Sequence, residues 1–299
     1  MKTETSPRQS LPAAAIERIP LAAGLHVVAT PIGHLGDVTL RALSTLQSAD
    51  IVLCEDTRVT RKLLDRYGLK PRLFAYHDHN AASVRPKIIE ELKAGRSVAL
   101  VSDAGTPLIS DPGYKLVAET LEAGFRVFPV PGASSLLAAL VAAGLPTDRF
   151  FFEGFLPVKS GQRKNRIAEL KEIPATLVFY ETGPRLAESL HDLAETLDAR
   201  MAAVCRELTK AFEETRRGTL IELASHYENS GAPKGEIVVV VAPPDPSTQS
   251  VSAEELDRKL LRALQGGSLK DAVAEVTEET GMKRREIYAR ALALSESKN

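Results

Sequence analysis

Two rhythms of apolar and polar residues alternate along the chain. Short apolar runs at Leu25–Thr30, Ile51–Cys54, Leu73–Tyr76, Val98–Ser102 and Val127–Val130 predict strands. Between them the apolar positions fall at helical spacing. Val38–Gln47 carries Leu40, Leu43 and Leu46 on one face, with Asp37 as a candidate N-cap. Thr57–Tyr67 stops at Gly68 and Val84–Lys93 at Gly95, where glycine suits the turn that ends a helix. Asp111 and Pro112 predict the N-cap and first position of the next helix, which Gly124 ends, and Ala133–Ala143 is a further helix. Alternation of this kind predicts a parallel-rich α/β sheet covered by helices.

The turn cluster Gly144–Asp148 interrupts the rhythm, which then restarts. Phe150–Phe152, Thr176–Tyr180, Ala202–Cys205 and Ile237–Ala242 predict strands, and Pro184–Leu197 an amphipathic helix. Pro243–Thr248 reads as a linker. Ala253–Leu264, Leu269–Thr280 and Lys283–Leu294 then predict helices, the last two in a helix-turn-helix-like arrangement. The expected organisation is a disordered tail at 1–23, α/β domains at 24–145 and 146–243, a linker at 244–250 and a helical segment at 251–299.

Composition narrows the classes. Over 299 residues, Lys and Arg total 38 and Asp and Glu 39, a formal net charge of −1. That balance excludes attachment to nucleic acid by bulk charge while leaving room for local basic faces. Two cysteines, Cys54 and Cys205, make neither a disulfide framework nor a four-cysteine zinc site. The longest apolar run, Leu136–Leu145, is shorter than the roughly 20 residues that span a bilayer. The first twenty residues lack the apolar core of a secretion signal, so a cytoplasmic protein without a membrane role is expected.

Three turns beyond strand ends carry candidate chemistry. Pro31-Ile32-Gly33-His34-Leu35-Gly36 lies between a strand and a helix, where backbone N–H groups face a polar ligand. Pro31 departs from a dinucleotide fingerprint, whereas Asp56 meets its demand for a later acid, so a nicotinamide-dependent oxidoreductase stays open as an alternative. The second turn, Asp103–Gly113, holds two aspartates. Asp111 reads as a helix cap, while Asp103 has no evident structural duty and is favoured as a ligand contact. The third, Pro131-Gly132-Ala133-Ser134-Ser135, offers hydroxyls that either cap a helix or bind a ligand.

These stretches, in this order, resemble the tetrapyrrole methylase superfamily, and most closely its ribosomal RNA small-subunit methyltransferase I family. The likeness rests on T-P-I-G-H-L-G-D at Thr30–Asp37, E-D-T-R at Glu55–Arg58 and H-D-H-N at His77–Asn80. It continues through S-D-A-G-T-P-L-I-S-D-P-G at Ser102–Gly113, E-G-F-L-P at Glu153–Pro157, V-F-Y-E-T at Val178–Thr182, R-E-L-T-K at Arg206–Lys210 and K-G-E at Lys234–Glu236. His34 stands where the family usually carries Asn, and Asp78 where Glu is also common. The resemblance spans about residues 24 to 294. It implies two α/β domains with a cleft for S-adenosylmethionine between them. It further implies a homodimer and 2′-O-ribose methylation of 16S rRNA, at the decoding-centre cytidine of conventional position 1402. Methylation of a small macrocycle or a protein is the alternative within the superfamily, and a non-enzymatic ribosome-binding factor is another.

Carried over on the same terms, the cofactor contacts are Ile32, Asp103, Thr106, Ser134 and Ser135 from the first domain. Those from the second are Tyr180, Glu181, Leu208, Gly235 and Glu236. A ribose hydroxyl needs a base or a charge-stabilising group to attack a methyl carbon. His77 and His79 are candidate bases, with Glu55 and Asp56 facing the same cleft and Arg58 steering phosphate. Asp56 is equally a helix cap, and His77-Asp78-His79 lacks a third partner for a metal. For the small-subunit RNA, the candidate contacts are Arg61 and Lys62, then Lys159, Arg163, Lys164 and Arg166, and finally Lys283, Arg284 and Arg285. The stretch around Gly161 lacks apolar anchors and is expected to be a loop, mobile until RNA binds. The helical segment is expected to dock RNA or pack a dimer.

Overall fold

The structure, a computed structural model, describes residues 16–245, 253–280, 282 and 284–296. Residues 1–15 of the expected tail, most of the linker and Lys283 lie outside these residues, whereas Ile16 and Leu21 of that tail pack against a hydrophobic core.

The first sheet contains β1 (Gly24–Val28), β2 (Ile51–Cys54), β3 (Leu73–Ala75), β4 (Ser97–Leu100) and β5 (Val127–Val130) in the order β3-β2-β4-β1-β5. All four pairings are parallel, as the alternation predicts. Buried side chains divide between its two faces. α1 (Leu40–Ser48) and α2 (Thr57–Arg66) press Leu43, Leu46, Leu63 and Leu64 onto Val28, Val52 and Cys54. On the other face α3 (Ala81–Lys93) and α4 (Tyr114–Glu122) place Ile88, Leu92 and Leu116 against Leu25, Leu53 and Leu100. Burying a side chain of this size stabilises the fold by about 1.5–3 kcal/mol.

The second sheet contains β6 (Phe150–Phe155), β7 (Thr176–Thr182), β8 (Met201–Arg206), β9 (Glu214–Thr219) and β10 (Glu236–Val241) in the order β6-β7-β10-β8-β9. Only β6 and β7 pair in parallel; the other three pairings are antiparallel. Along β10, Ile237, Val239 and Val241 join one core with α6 (Ser160–Leu170), α7 (Gly183–Leu197) and α8 (Leu220–Ser230). Val238 and Val240 face the opposite core, which α5 (Ser135–Ala143) fills with Leu136, Ala139 and Leu140. Thus α5 precedes the turn cluster in sequence but covers the second sheet. Arg217 on β9 reaches back to donate to the carbonyls of Ala142 and Ala143 at its C-terminus, where a cation opposes the helix dipole.

The helices α9 (Ala253–Gly266), α10 (Leu269–Thr280) and α11 (Arg284–Glu296) share a core of their own, with Leu260, Val273, Val276 and Ile287 at its centre. No helix among the described residues is long and apolar enough to cross a membrane.

Four expectations are corrected. Thr39, not Asp37, caps α1, its hydroxyl accepting the Ala42 N–H. Asp111 caps no helix: α4 begins three residues later, with Gly113 as its N-cap. Leu108 and Ser110 have φ of 74° and 62°, so the chain is still turning where D-P-G signalled a start. The stretch around Gly161 is α6, anchored by Ile167 and Leu170. Arg163, expected to face RNA, is 1% exposed. Its Nε donates to Asp192 on α7 at 2.6 Å and its Nη1 to the Val158 carbonyl at 3.1 Å. Breaking one side of a buried ion pair costs about 3–5 kcal/mol, because the remaining charge is stranded. Arg163→Ala should therefore lower urea stability by about that amount. Arg163→Met with Asp192→Leu should recover most of the loss; a single variant as stable as the parent would remove the pair from the packing of α6 on α7.

Candidate active site

Parallel pairing puts the turns after β1, β4 and β5 at one end of the first sheet, where ligands sit in open α/β folds. Hydrogen bonds tie these turns together. Thr30 and Gly105 exchange backbone bonds of 2.8 and 3.0 Å. The Thr106 hydroxyl donates to the Ala133 carbonyl at 3.1 Å. Across from them, the loop after β8 holds Glu207 and Thr209 at positive φ. Its Thr209 hydroxyl accepts the His34 N–H at 3.0 Å, joining the first turn to the second sheet. Backbone strain of this kind concentrates at functional sites.

Between these loops lies a cleft of about 280 Å³. All ten residues expected to hold a cofactor line it: Ile32, Asp103, Thr106, Ser134, Ser135, Tyr180, Glu181, Leu208, Gly235 and Glu236. Most are already positioned by the protein. Ser135 donates to the Tyr180 hydroxyl at 2.9 Å, whereas Ser134 occupies the N-cap of α5 without using its hydroxyl there. Asp103 accepts the Asp56 N–H at 3.0 Å, so the residue that lacked a structural duty in the sequence has one. Glu181 is buried, with its carboxylate taken by the Ser189 hydroxyl and the Thr182 N–H and with Arg185 beside it. Lys210 bridges Glu236 and Glu207 at 3.0 and 2.8 Å. Gly235, at φ 100°, lies so close to Glu207 that an added Cβ would stand 2.3 Å from it, so only glycine admits that approach.

Sequence reasoning missed Asp111, Ile109, Ser110 and Phe155 in the lining. Asp111 matters most chemically. Burial pushes its carboxyl up to about 6, helped by Glu55, Asp103 and Glu236 and opposed by the Ser102 hydroxyl. Burial also raises Asp103 and, with Asp103 and Asp78 nearby, Glu55. No lysine, arginine or histidine stands among the described residues that line the cleft. Glu181 and Glu236 are paired with Arg185 and Lys210, whereas Asp103 and Asp111 form no ion pair among the described residues, so their excess negative charge favours a cationic ligand.

The four residues expected to catalyse do not line the cleft. Asp56 caps α2 and accepts from the Arg58 N–H at 2.8 Å, and the Arg58 side chain and N–H hold its carboxyl down at about 2. Arg58 itself is exposed and paired with Asp56 at 2.6 Å. His77 and His79 follow β3, with ring centroids 5.9 Å apart, and the buried Nδ1 of His77 has no hydrogen-bond partner. Glu55 is electrostatically linked both to His77 and to the cleft carboxylates. No cluster of three or more candidate metal ligands occurs among the described residues.

The expected RNA contacts separate into two groups. Arg61, Lys62, Lys159, Arg284 and Arg285 are exposed. Lys164 and Arg166 are instead engaged by acids brought in by the fold: Glu195 and Asp192 for Lys164, Glu153 and Glu169 for Arg166. With Arg163 buried, the basic cluster at 159–166 leaves only Lys159 exposed without such an engagement. Lys283 falls outside the described residues.

Comparison with known proteins bears on this arrangement. Residues 24–224 match the family Tetrapyrrole (Corrin/Porphyrin) Methylases, and residues 250–295 match the RsmI C-terminal HTH domain. A relative from Mesorhizobium japonicum, Ribosomal RNA small subunit methyltransferase I, is 54% identical over 93% of this chain and 94% of its own. Among solved structures, diphthine synthase superposes with a TM-score of 0.57 at 19% identity, over 73% of this chain and 89% of that one. Uroporphyrin-III C-methyl transferase from Thermus thermophilus, complexed with S-adenyl homocysteine, does so with a TM-score of 0.52 at 20% identity, over 73% and 97%. At those identities the two structures speak for the fold alone. The chain belongs to the tetrapyrrole methylases, and within them to the family of ribosomal RNA small subunit methyltransferase I.

Proposed function

We propose that this chain methylates 16S rRNA of the small ribosomal subunit with S-adenosylmethionine, at the ribose 2′-OH of the decoding-centre cytidine of conventional position 1402. The observation that carries the reading is the cleft where the two sheets meet, lined by carboxylates and small hydroxyl residues without a cation. Those residues fit a ligand that is cationic at one end and aromatic at the other. The relative's name supplies the RNA substrate. On this reading the enzyme works in the cytoplasm, as the homodimer that the family resemblance implies. Residues 24–145 and 146–243 form the two halves of the site, and 251–299 dock RNA or pack the dimer.

When bound, S-adenosylmethionine supplies a methyl group already activated on a sulfonium. The chain's part is positioning and proton management. Ile32 and Leu208 give apolar contact, Thr106, Ser134 and Ser135 offer short polar groups, and Gly235 lets backbone come close. Asp103 and Asp111 offer carboxylates to cationic or hydroxyl groups. The attacking ribose hydroxyl must lose its proton, and a carboxylate near 6 inside the cleft accepts one at neutral pH. Asp111 thus takes the role assigned from sequence to His77 or His79, which with Glu55 and Arg58 form the next layer outward. RNA phosphates meet Arg61 and Lys62 on the exposed face of α2.

The direct test is methyl incorporation from labelled S-adenosylmethionine into 30S subunits and into naked 16S rRNA, with the modified ribose mapped. Label at one cytidine ribose is expected, and no label in either substrate overturns the proposal. Arg61→Gln with Lys62→Gln should weaken RNA binding and flatten its log–log salt slope by about 2, since each phosphate contact contributes roughly 1. An unchanged slope would move the RNA elsewhere. Asp111 also makes stability pH-dependent. Folded, it keeps its proton up to about pH 6, whereas an ordinary aspartate loses it near 3.8. Stability is therefore lost as pH rises through that window. Asp111→Asn should leave urea stability at pH 4 nearly unchanged, raise it at pH 7.5 by about 1–2 kcal/mol, and slow turnover. A variant less stable at pH 7.5 would contradict the buried-carboxylate reading.

A further inference from the structure

The strand β6 contains an irregularity that the cofactor cleft does not explain. Its parallel register on β7 runs Phe150–Thr176, Phe151–Leu177 and Phe152–Val178, then jumps to Gly154–Phe179 and Phe155–Tyr180. Glu153 is one residue too many, a β-bulge. Side chains alternate between faces along a strand, so an added residue inverts the alternation beyond it. Without the bulge, Phe155 would share the face of Phe151, which packs into the core under α6, α7 and α8. With it, Phe155 joins Phe152 on the cleft side. Both rings meet Tyr180 edge-on, at centroid distances of 4.9 and 5.7 Å.

The fold holds this bulge from two sides. Glu153 is pinned by a two-pronged pair with Arg166, at 2.6 and 2.7 Å. Gly154 adopts φ 78°, and a Cβ there would stand 3.1 Å from the Ser110 hydroxyl on the loop of the first sheet. The result is a phenylalanine that lines the cleft yet remains 51% exposed. Ile109, 36% exposed, lines the same cleft. A large apolar ring half in solvent at the edge of the cleft is a surface awaiting a planar partner. Proteins that read unpaired nucleotides stack the bases on such rings.

We propose that Phe155 is the stacking platform for the nucleobase of the nucleotide being methylated, holding that base while its ribose enters the cleft. This rests on the RNA-methylation reading above. The cofactor's adenine is the other nucleobase in reach, and the experiment separates the two. Buried Ile32, Leu208 and Val238 already give the cleft an apolar wall, which leaves the half-exposed ring for the substrate.

Phe155→Leu keeps apolar bulk and removes the ring; Phe155→Trp and Phe155→Tyr restore a ring. With 30S subunits as substrate, Phe155→Leu should lose about ten- to hundredfold in kcat/KM, the range expected for one stacked base. The Trp and Tyr variants should regain most of it. The affinity of all three for S-adenosylmethionine, by calorimetry, should stay within about twofold of the parent, which also reports an intact fold. Parent-like kcat/KM in Phe155→Leu overturns the proposal. A matching loss of S-adenosylmethionine affinity also overturns it and assigns the ring to adenine. A parent protein that labels no rRNA sinks the functional reading instead. Phe155 is then judged by the anisotropy of a fluorescent oligocytidylate, where weaker binding by Phe155→Leu supports stacking and equal binding ends it.

Discussion

The cleft depends first on the parallel alignment of β1 with both β4 and β5. Three strands running the same way must end on the same side, so three turns far apart in sequence arrive together. The reciprocal bonds between Thr30 and Gly105 and the Thr106–Ala133 bond then fix the turns relative to one another. The second sheet does not share this alignment. It contributes through the ends of β7 and β10 and the strained loop after β8, held to the first turn by the His34–Thr209 bond.

Within that frame the electrostatics are uneven by construction. The acids of the cleft are close enough to push one another upward, while the arginines and lysines nearby are spoken for. Arg58 is held by Asp56, Lys210 by Glu207 and Glu236, and Arg166 by Glu153 and Glu169. An acid surrounded by acids costs stability in the empty protein, and such a cost is common where residues serve binding or chemistry.

The three turns after β1, β4 and β5 are legible as local motifs, whereas Tyr180, Glu181, Leu208, Gly235 and Glu236 come from the family resemblance, and all ten candidates line the cleft. Local signals survive translation into three dimensions when the sheet collects strand ends for them. Asp111 was not legible, because Asp-Pro-Gly before a periodic segment also describes a helix start, and only the left-handed residues Leu108 and Ser110 show that the chain is still in its loop. Helix α6 was hidden by Arg163, which occupies a core position that hydropathy assigns to the surface. Strand β9 was hidden because Glu-Thr-Arg-Arg-Gly-Thr lies at the sheet edge and shows no apolar alternation. The basic run at 159–166 looked unopposed because the acids that oppose it come from β6, α7 and the far end of α6. In each case the missing information is a partner distant in sequence.

The bulge at Glu153 has a consequence for how this strand tolerates change in length. Surface loops absorb a gained or lost residue at small cost, but β6 carries a phase shift in mid-strand. Removing one residue there would restore regular alternation. With Glu153 gone, Gly154 would still pair with Phe179 and Phe155 with Tyr180, on the faces they hold now, and Arg166 would lose its partner. Inside and outside are exchanged instead when the extra residue stays and the strand pairs regularly, because Phe155 then turns to the face of Phe151. The contacts that hold Glu153 out of register therefore constrain this strand more tightly than its length does.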